Sequence, residues 1–583
     1  MSVYKKLGWF FKQEKKAYLI GITALLMVSV INLLPPKIIG MIVDDIAGRQ
    51  LTFQKMIFWG GWLVIAAVAQ YLLRFVWRTK IWGSAAKLEK LLRQRLFHHL
   101  TTMDQIFFQK YRTGDLMAHA TNDLNAIQMV AGAGILTFAD SFLTGAITII
   151  AMMVVVDWRL TLIALVPLPF LAVTSRVLGN KLHDAFRESQ AAFSTLNDKT
   201  QETITGIKVI KTFGQEKEEV EDFQEKVDDS IRKNNRVNFL DALFDPFITL
   251  IIGASYVVTI ILGGYFVKNN EITIGQLITF INYINMLVWP MFAIGRFFNV
   301  LQRGNASYDR VEELLREKSH IVEAVKGIDT PAHGNVDYHV KRFNYYNDDQ
   351  VTLQNIDFTI EEGRTLGIVG RTGAGKTTIL KLLMREYDEY EGEINFGGHS
   401  LQTYSLDALL TSIGYVPQDH FLFSMTVRDN IRFAKPDASQ EEVEHIARIA
   451  AIHDDILGFS NGYDTMVGER GVSLSGGQKQ RISIARALLA DPELLILDDA
   501  LSAVDAKTEE KILDNLKTLR QNKTTIINAH RLSSVMHADE ILVIDQGQIT
   551  ERGTHDELIA SGGWYKKMYD KQQLEAKIEG GNE

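Results

Sequence analysis

The chain has 583 residues, 46% hydrophobic and 23% charged, with 62 basic against 70 acidic side chains and no cysteine. That length exceeds what one hydrophobic core supports, so two or more domains are expected. A net charge of −8 excludes a broad basic field for nucleic acid, and the missing cysteines exclude disulfides, thiolate zinc sites and cysteine nucleophiles.

The N-terminal stretch MSVYKKLGWFFKQEKKAYLIG is basic and then apolar. Its apolar run passes Leu33 with no small-residue cleavage pattern, which predicts a retained membrane segment and not a signal peptide. Six apolar stretches, near 17–43, 57–77, 131–156, 159–178, 245–267 and 272–295, approach the length that crosses hydrocarbon. Long charged connections follow the second and fourth, whereas 157–159 and 268–271 are very short. Lys80, Lys87, Lys90, Arg93, Arg95, Lys208 and Lys211 lie in the long connections. The positive-inside bias therefore places the N-terminus, both long loops and the C-terminal half in the cytoplasm. Within those loops AAKLEKLLRQRLFHHLTTM and TLNDKTQETITGIKVIKTF repeat apolar residues at helical spacing, predicting helices that continue beyond the membrane.

The expected organisation is an α-helical six-span transmembrane domain over 1–302, a linker over 303–335 containing Gly327, Pro331 and Gly334, and a soluble α/β domain over 336–583. In the last part short runs such as TLGIVG, IGYVPQ, LLILDD and TTIINAH alternate with helical segments.

GRTGAGKTT, comprising Gly370, Arg371, Thr372, Gly373, Ala374, Gly375, Lys376, Thr377 and Thr378, follows an apolar strand and opens a helix. This is G-x-x-x-x-G-K-T in the context that binds nucleotide phosphates. Glycines let backbone N–H groups converge on phosphate, the helix start adds positive potential, Lys376 neutralises the terminal phosphates, and the Thr377 hydroxyl suits magnesium. A buried strand, LLILD, delivers Asp498 about 120 residues later, the place for a magnesium-site carboxylate. ATP and Mg2+ are the expected ligands.

LSGGQ, comprising Leu474, Ser475, Gly476, Gly477 and Gln478, precedes KQRISIARALL and resembles the signature of ABC-transporter ATPases. The resemblance covers essentially the whole chain: six spans and one nucleotide-binding domain resemble a half-transporter of the type I (type IV) exporter fold. More narrowly, the chain resembles the BmrC-like subunits of bacterial heterodimeric multidrug exporters. The resemblance implies that Tyr345 in FNYYNDD stacks on adenine, with Tyr346 the lesser choice, and that Gln418 in VPQDHFLF contacts magnesium. It implies that GERG at 468–471 touches the cytoplasmic extensions, that Ser502, Ala503, Val504 and Asp505 join two ATP sites, and that His530 contacts the terminal phosphate. It also implies that YRTGDLMAHATNDLNAI and TFGQEKEEVEDF are coupling segments, and that the signature serves ATP held by a second half-transporter. The Ser475 hydroxyl and the paired glycines at a helix start are suited to that task.

The family pattern after the magnesium carboxylate is glutamate, but here it is Asp499. The loss of one methylene retracts the carboxylate by about 1–1.5 Å, and a displacement near 1 Å costs on the order of 100-fold in rate. The expectation is a slow, degenerate ATP site on this chain, beside an intact signature that completes a fast site for a different subunit. The competing expectation is an ordinary homodimer in which aspartate works through an extra water or a backbone adjustment.

Within the spans Asp140 is a charge at membrane depth and a candidate contact for cationic cargo. Asn282 and Asn285, with Trp289, Phe292, Phe297 and Phe298, are candidate cavity residues, against a reading of plain helix packing. The resemblance implies amphipathic drug-like cargo, a bacterial plasma-membrane location and no nucleic acid. Its rivals are a homodimeric lipid flippase and an ATP-gated regulatory or channel-like membrane protein.

Overall fold

The computed structural model describes residues 2–580 apart from Val325, Asn347 and 469–472, and only the backbone of 2, 168, 171, 172, 175, 176, 291, 292, 294–296 and 576–580. The GERG segment beyond Gly468 and the Phe292 side chain thus lie outside the described residues. The chain forms two compact units, one of 1–101 with 112–317 and one of 102–111 with 318–583.

The first unit is helical, built on rod 1 (Lys15–Ala47), rod 2 (Phe53–Thr101), rod 3 (Thr113–Val156), rod 4 (158–205), rod 5 (Glu216–Lys268) and rod 6 (Ile274–Arg316). Among the described residues rods 1, 2, 3 and 5 contain stretches long and apolar enough to cross a membrane. The apolar stretches expected at 159–178 and 272–295 fall in rods 4 and 6. Rod 4 is interrupted at 165–167, where Pro167 and Pro169 remove amide donors, and rod 6 carries Pro290 inside its helix. Rods 2 and 1, and rods 6 and 3, pack along one another. Their contact faces bury small and apolar side chains, while Ile57, Phe58, Val64, Ile65, Val68 and Leu72 of rod 2 remain exposed. An exposed apolar surface of that extent suits lipid, since water would penalise it.

Rod 6 does not stop near 302 but continues to Arg316. Val311 and Leu314, three residues apart, keep one buried face going, so the helix persists where the sequence suggested a linker.

The second unit has two sheets. The antiparallel one has the order β2-β1-β4-β5, from β1 (Val336–Phe343), β2 (Leu353–Ile360), β4 (Glu391–Phe396) and β5 (His399–Ser400). The other has the order β10-β9-β3-β8-β7-β6. It comprises β3 (Thr365–Gly370), β6 (Ile413–Val416), β7 (Leu494–Asp498), β8 (Thr524–Asn528), β9 (Glu540–Asp545) and β10 (Gln548–Gly553). Every pairing in it is parallel except β9 with β10. All five residues of β7 and of β8 are buried, as expected for central parallel strands covered on both faces. The helix Lys376–Leu383 lies in the core between the sheets, burying Ile379, Leu380, Leu382 and Leu383. A second core gathers around the helix Gly476–Leu489 through Ile482, Ile484, Ala485 and Leu488.

Residues 102–111 belong to this second unit; the segment overlaps the expected YRTGDLMAHATNDLNAI at Tyr111 and otherwise precedes it. Asp104, its side chain fully buried, is the N-cap of the helix Gln105–Lys110 and accepts from Phe107 N at 2.9 Å. The same carboxylate accepts from Ser319 Oγ at 3.2 Å, from the His320 amide, and meets His320 Nδ1 at 3.1 Å. Gln109 Nε2 donates to the Tyr387 hydroxyl at 2.8 Å. One carboxylate therefore fastens the inserted helix to the stretch that follows rod 6.

Burial alone would raise the Asp104 carboxyl, but the Phe107 and His320 amides, the His320 ring and the Ser319 hydroxyl outweigh it and hold the group below its ordinary value. A lowered folded value means that the stabilisation is complete above the unfolded carboxyl pKa and is lost as pH falls through the folded one. Asp104→Ala is expected to cost about 2–4 kcal/mol, from a lost cap and a stranded buried amide. Thermal unfolding of the full chain should show this as a lower midpoint at neutral pH, with the difference from wild type shrinking on acidification. An unchanged midpoint at neutral pH would contradict it.

Candidate functional site

The parallel sheet brings four strand ends to one edge. Ile368 of β3 pairs with Asn528 of β8, Asn528 pairs with Asp498 of β7, and Leu497 pairs with Val416 of β6. Ligands of open α/β sheets bind beyond such carboxyl ends. The loop after β3, the residues after β6 and β8, and Asp498 itself therefore converge by topology.

Gly370 ends β3 at φ +151°, and a Cβ there would stand 2.1 Å from Ile544 O, so only glycine fits. Gly375, at φ +100°, starts the helix Lys376–Leu383. Lys376 is buried, with its Nζ donating to the carbonyls of Gly370 and Arg371, each at 3.0 Å. Burial pulls its ammonium below the ordinary value, with Asp499 and Asp498 opposing. An ammonium whose hydrogen bonds among the described residues all go to loop carbonyls, inside a cradle of glycines at a helix start, fits a polyphosphate.

Asp498 is buried and receives three donors: Thr377 Oγ1 at 3.3 Å, Tyr415 OH at 3.1 Å and the Asn528 amide. Burial and the adjoining Asp498 push the Tyr415 phenol well above its ordinary value, so it stays protonated and donates. A carboxylate beside a threonine hydroxyl is an all-oxygen pair suited to Mg2+, which would neutralise phosphate charge there. Gln418, two residues beyond β6, is exposed and offers a further oxygen.

Asp499 has left-handed backbone, φ +50°, which aspartate tolerates better than most residues. Its amide donates to Asn528 O at 2.8 Å, and its carbonyl accepts from Gln480 Nε2 at 3.2 Å and Ser502 Oγ at 3.0 Å. Its carboxylate makes no hydrogen bond among the described residues. His530 follows β8 and is exposed, its carbonyl accepting from Gln572 Nε2 at 2.9 Å. Tyr345 leans on the P-loop helix, its hydroxyl 2.8 Å from Thr378 Oγ1 and its ring against Phe343 and Tyr387, while Tyr346 is exposed beside His320.

Ser475 caps the helix Gly476–Leu489 through a reciprocal pair: its Oγ accepts from Gln478 N and its amide donates to Gln478 Oε1. Leu474 is buried and anchors this start, whereas Ser475 and Gly476 are exposed. Gly477 lies so close to Ala503 that a Cβ would stand 2.8 Å from Ala503 O. No hydrogen bond among the described residues joins 474–478 to the P-loop. The buried amide of Gln480 bridges the Asp499 carbonyl and the Ala503 amide, 3.1 Å away, and so ties Asp499 to the loop of Ser502, Ala503, Val504 and Asp505. Asp505 caps the next helix through Thr508 N. Gln480, Tyr415 and Asn528 were not picked out from the sequence: Tyr415 and Asn528 had only the signal of a polar group at a strand end among apolar neighbours, and Gln480, between Lys479 and Arg481, had none.

In the first unit, Asn282 donates to Ile278 O of its own helix at 2.9 Å and Asn285 pairs with the Tyr256 hydroxyl. Neither is on the walls of the two cavities that follow. Asp140 and Trp289 share one cavity wall, and Phe297 and Phe298 line another, apolar, cavity of about 780 Å3.

Two family descriptions match the chain: the ABC transporter transmembrane region over residues 18–291 and the ABC transporter over residues 353–502. The chain is similar to the "Probable multidrug resistance ABC transporter ATP-binding/permease protein YheI" of Bacillus subtilis, 47% identical across 100% of this chain and 99% of that protein. It is 43% identical to the "Multidrug resistance-like ATP-binding protein MdlA" of Escherichia coli, across 99% of this chain and 98% of that one. For the protein of the same name from Buchnera aphidicola subsp. Schizaphis graminum the identity is 44%, across 99% and 100%.

Asp498→Asn keeps an acceptor for Tyr415 but removes the charge. It is expected to weaken magnesium-dependent binding of a fluorescent ATP analogue about tenfold and to leave binding in EDTA nearly unchanged. Equal affinity with magnesium present would contradict the assignment.

Proposed function

The chain belongs to the ABC transporter family, with transmembrane region and ATPase on one polypeptide, and we propose that it is one subunit of a bacterial heterodimeric multidrug exporter whose own ATP site turns over slowly. The observation that carries this reading is the pinned backbone of Asp499. Hydrogen bonds from Gln480 and Ser502 to its carbonyl, and from its amide to Asn528, hold the residue at both ends. The backbone shift that would compensate for a missing methylene would have to break them, at about 1 kcal/mol or more each. The carboxylate therefore stays short of the place a glutamate would reach.

In this reading Gly370 to Thr378 hold the phosphates, Tyr345 takes the adenine, His530 faces the terminal phosphate, and Thr377, Gln418 and Asp498 hold Mg2+. Leu474 to Gln478 are presented to ATP on the second subunit, with 502–505 between the two sites. Binding of ATP at both sites closes the ATPase domains, residues 102–111 carry that closure to the rods, and hydrolysis at the partner's site resets them. Six spans cross the plasma membrane, with the N-terminus and ATPase in the cytoplasm, and amphipathic drug-like molecules are the cargo.

Asp499→Glu, tested in a complex whose partner P-loop lysine has been replaced, is expected to raise ATP turnover at least about tenfold at unchanged ATP affinity. No gain would sink the degenerate-site reading. Native mass measurement should find a second, different half-transporter, whereas a fully active homodimer would contradict the pairing.

A further inference from the structure

Residues of rods 1, 2, 3 and 6 line a cavity of about 630 Å3 whose wall carries Arg74, Arg78, Trp77, Asp140 and Trp289. Arg74 and Arg78 stand one helical turn apart on rod 2 and are exposed. Neither forms an ion pair or hydrogen bond among the described residues; the Arg78 guanidinium lies 5.7 Å from the Trp77 ring centre. Asp140 accepts from Thr144 Oγ1 at 3.3 Å, shares the wall with Trp289, and lies within electrostatic range of Arg74 but is bonded to neither arginine.

Two guanidiniums against one carboxylate leave the wall one positive charge in excess. Rod 2 starts at Phe53, so at 1.5 Å per residue Arg74 lies about 31 Å along it, near the far boundary of a hydrocarbon layer about 30 Å thick. Arginines serving only to anchor a helix there would reach outward to headgroups, whereas these two line the cavity. Guanidinium is a planar fork that matches carboxylate, phosphate or sulfonate, and the flanking indoles offer apolar wall beside it.

We infer that this cavity binds an amphipath with a monoanionic head, which Arg74 and Arg78 hold, and not the cationic cargo that Asp140 taken alone suggests. A single negative charge neutralises the wall, while a cation adds to its excess. Asp140 restrains affinity for the anion and so permits release. That the ligand is transported rests on the exporter reading; that it binds does not. The head belongs either to a soluble anionic molecule or to an anionic phospholipid of the surrounding membrane.

The test uses the full chain, purified from membranes in the assembly it forms and placed in phosphatidylcholine nanodiscs. Three probes share one body: 11-(dansylamino)undecanoic acid, its methyl ester, and the corresponding dansyl alkylamine. The acid should bind about tenfold tighter than the ester or the amine, an advantage on the scale of a charge-assisted guanidinium contact. R74Q/R78Q should abolish that advantage without moving ester affinity or binding of a fluorescent ATP analogue, R74K/R78K should retain part of it, and Asp140→Asn should increase it. Equal binding of the three probes, preference for the amine, or acid affinity unmoved by R74Q/R78Q would overturn the inference. Displacement of the acid by added phosphatidylglycerol in wild type alone assigns the site to lipid headgroups, and no displacement assigns it to soluble anions. Acid binding without ATP-driven uptake in proteoliposomes would sink the exporter reading and leave the site standing.

Discussion

One buried carboxylate organises the nucleotide edge of this chain. Asp498 ends a strand buried along its whole length, and its charge is tolerable there only because Thr377, Tyr415 and Asn528 all point donors at it. Those donors come from the P-loop helix, β6 and β8, so the one group fixes the relation of the loop to the three strands around it. The glycine cradle and the exposed Gln418 and His530 then have a frame to be exposed from. Truncating this side chain would change the edge as a whole, because all three donors would lose their partner together.

The next residue inherits this rigidity. Asp499 turns the chain out of the sheet through left-handed backbone, and Gln480 locks that turn to the loop 502–505 and to the signature helix. A rigid turn is useful where an acid must meet water at a set distance, and it is unforgiving when the side chain is short. The same rigidity keeps Ser475 and Gly476 exposed at a capped helix start. In the proposed pairing those two features separate the tasks: this chain's ATP is held, and its signature is offered elsewhere.

What was legible in the sequence was local. The strand, glycine loop and helix over 365–383 follow from short-range spacing, and the buried run before Asp498 announces a central parallel strand. The extension of rods 2 and 4 beyond their apolar stretches was legible too, from hydrophobic periodicity in the two long connections, whereas the run of rod 6 on to Arg316 was not. What escaped depends on residues far apart in the chain. Tyr415 and Asn528 act only through sheet order, and Gln480 only through packing of the signature helix. Membership of 102–111 in the second unit depends on Asp104 meeting Ser319 and His320, more than 200 residues away. In the rods, Asn282 and Asn285 drew notice as polar residues in apolar surroundings, yet both are spent on helix and neighbour. Arg74 and Arg78 were hidden among the basic residues that close a span.

In the proposed pairing ATP on this chain waits while ATP on its partner is consumed. That difference is tested most directly by trapping the purified, transporting complex with photo-crosslinkable ATP labelled on the α-phosphate, quenching in acid within one turnover, separating the subunits, and identifying the nucleotide on each. The account predicts intact ATP on this chain and ADP on the partner. ADP appearing on both chains at the same rate would contradict it.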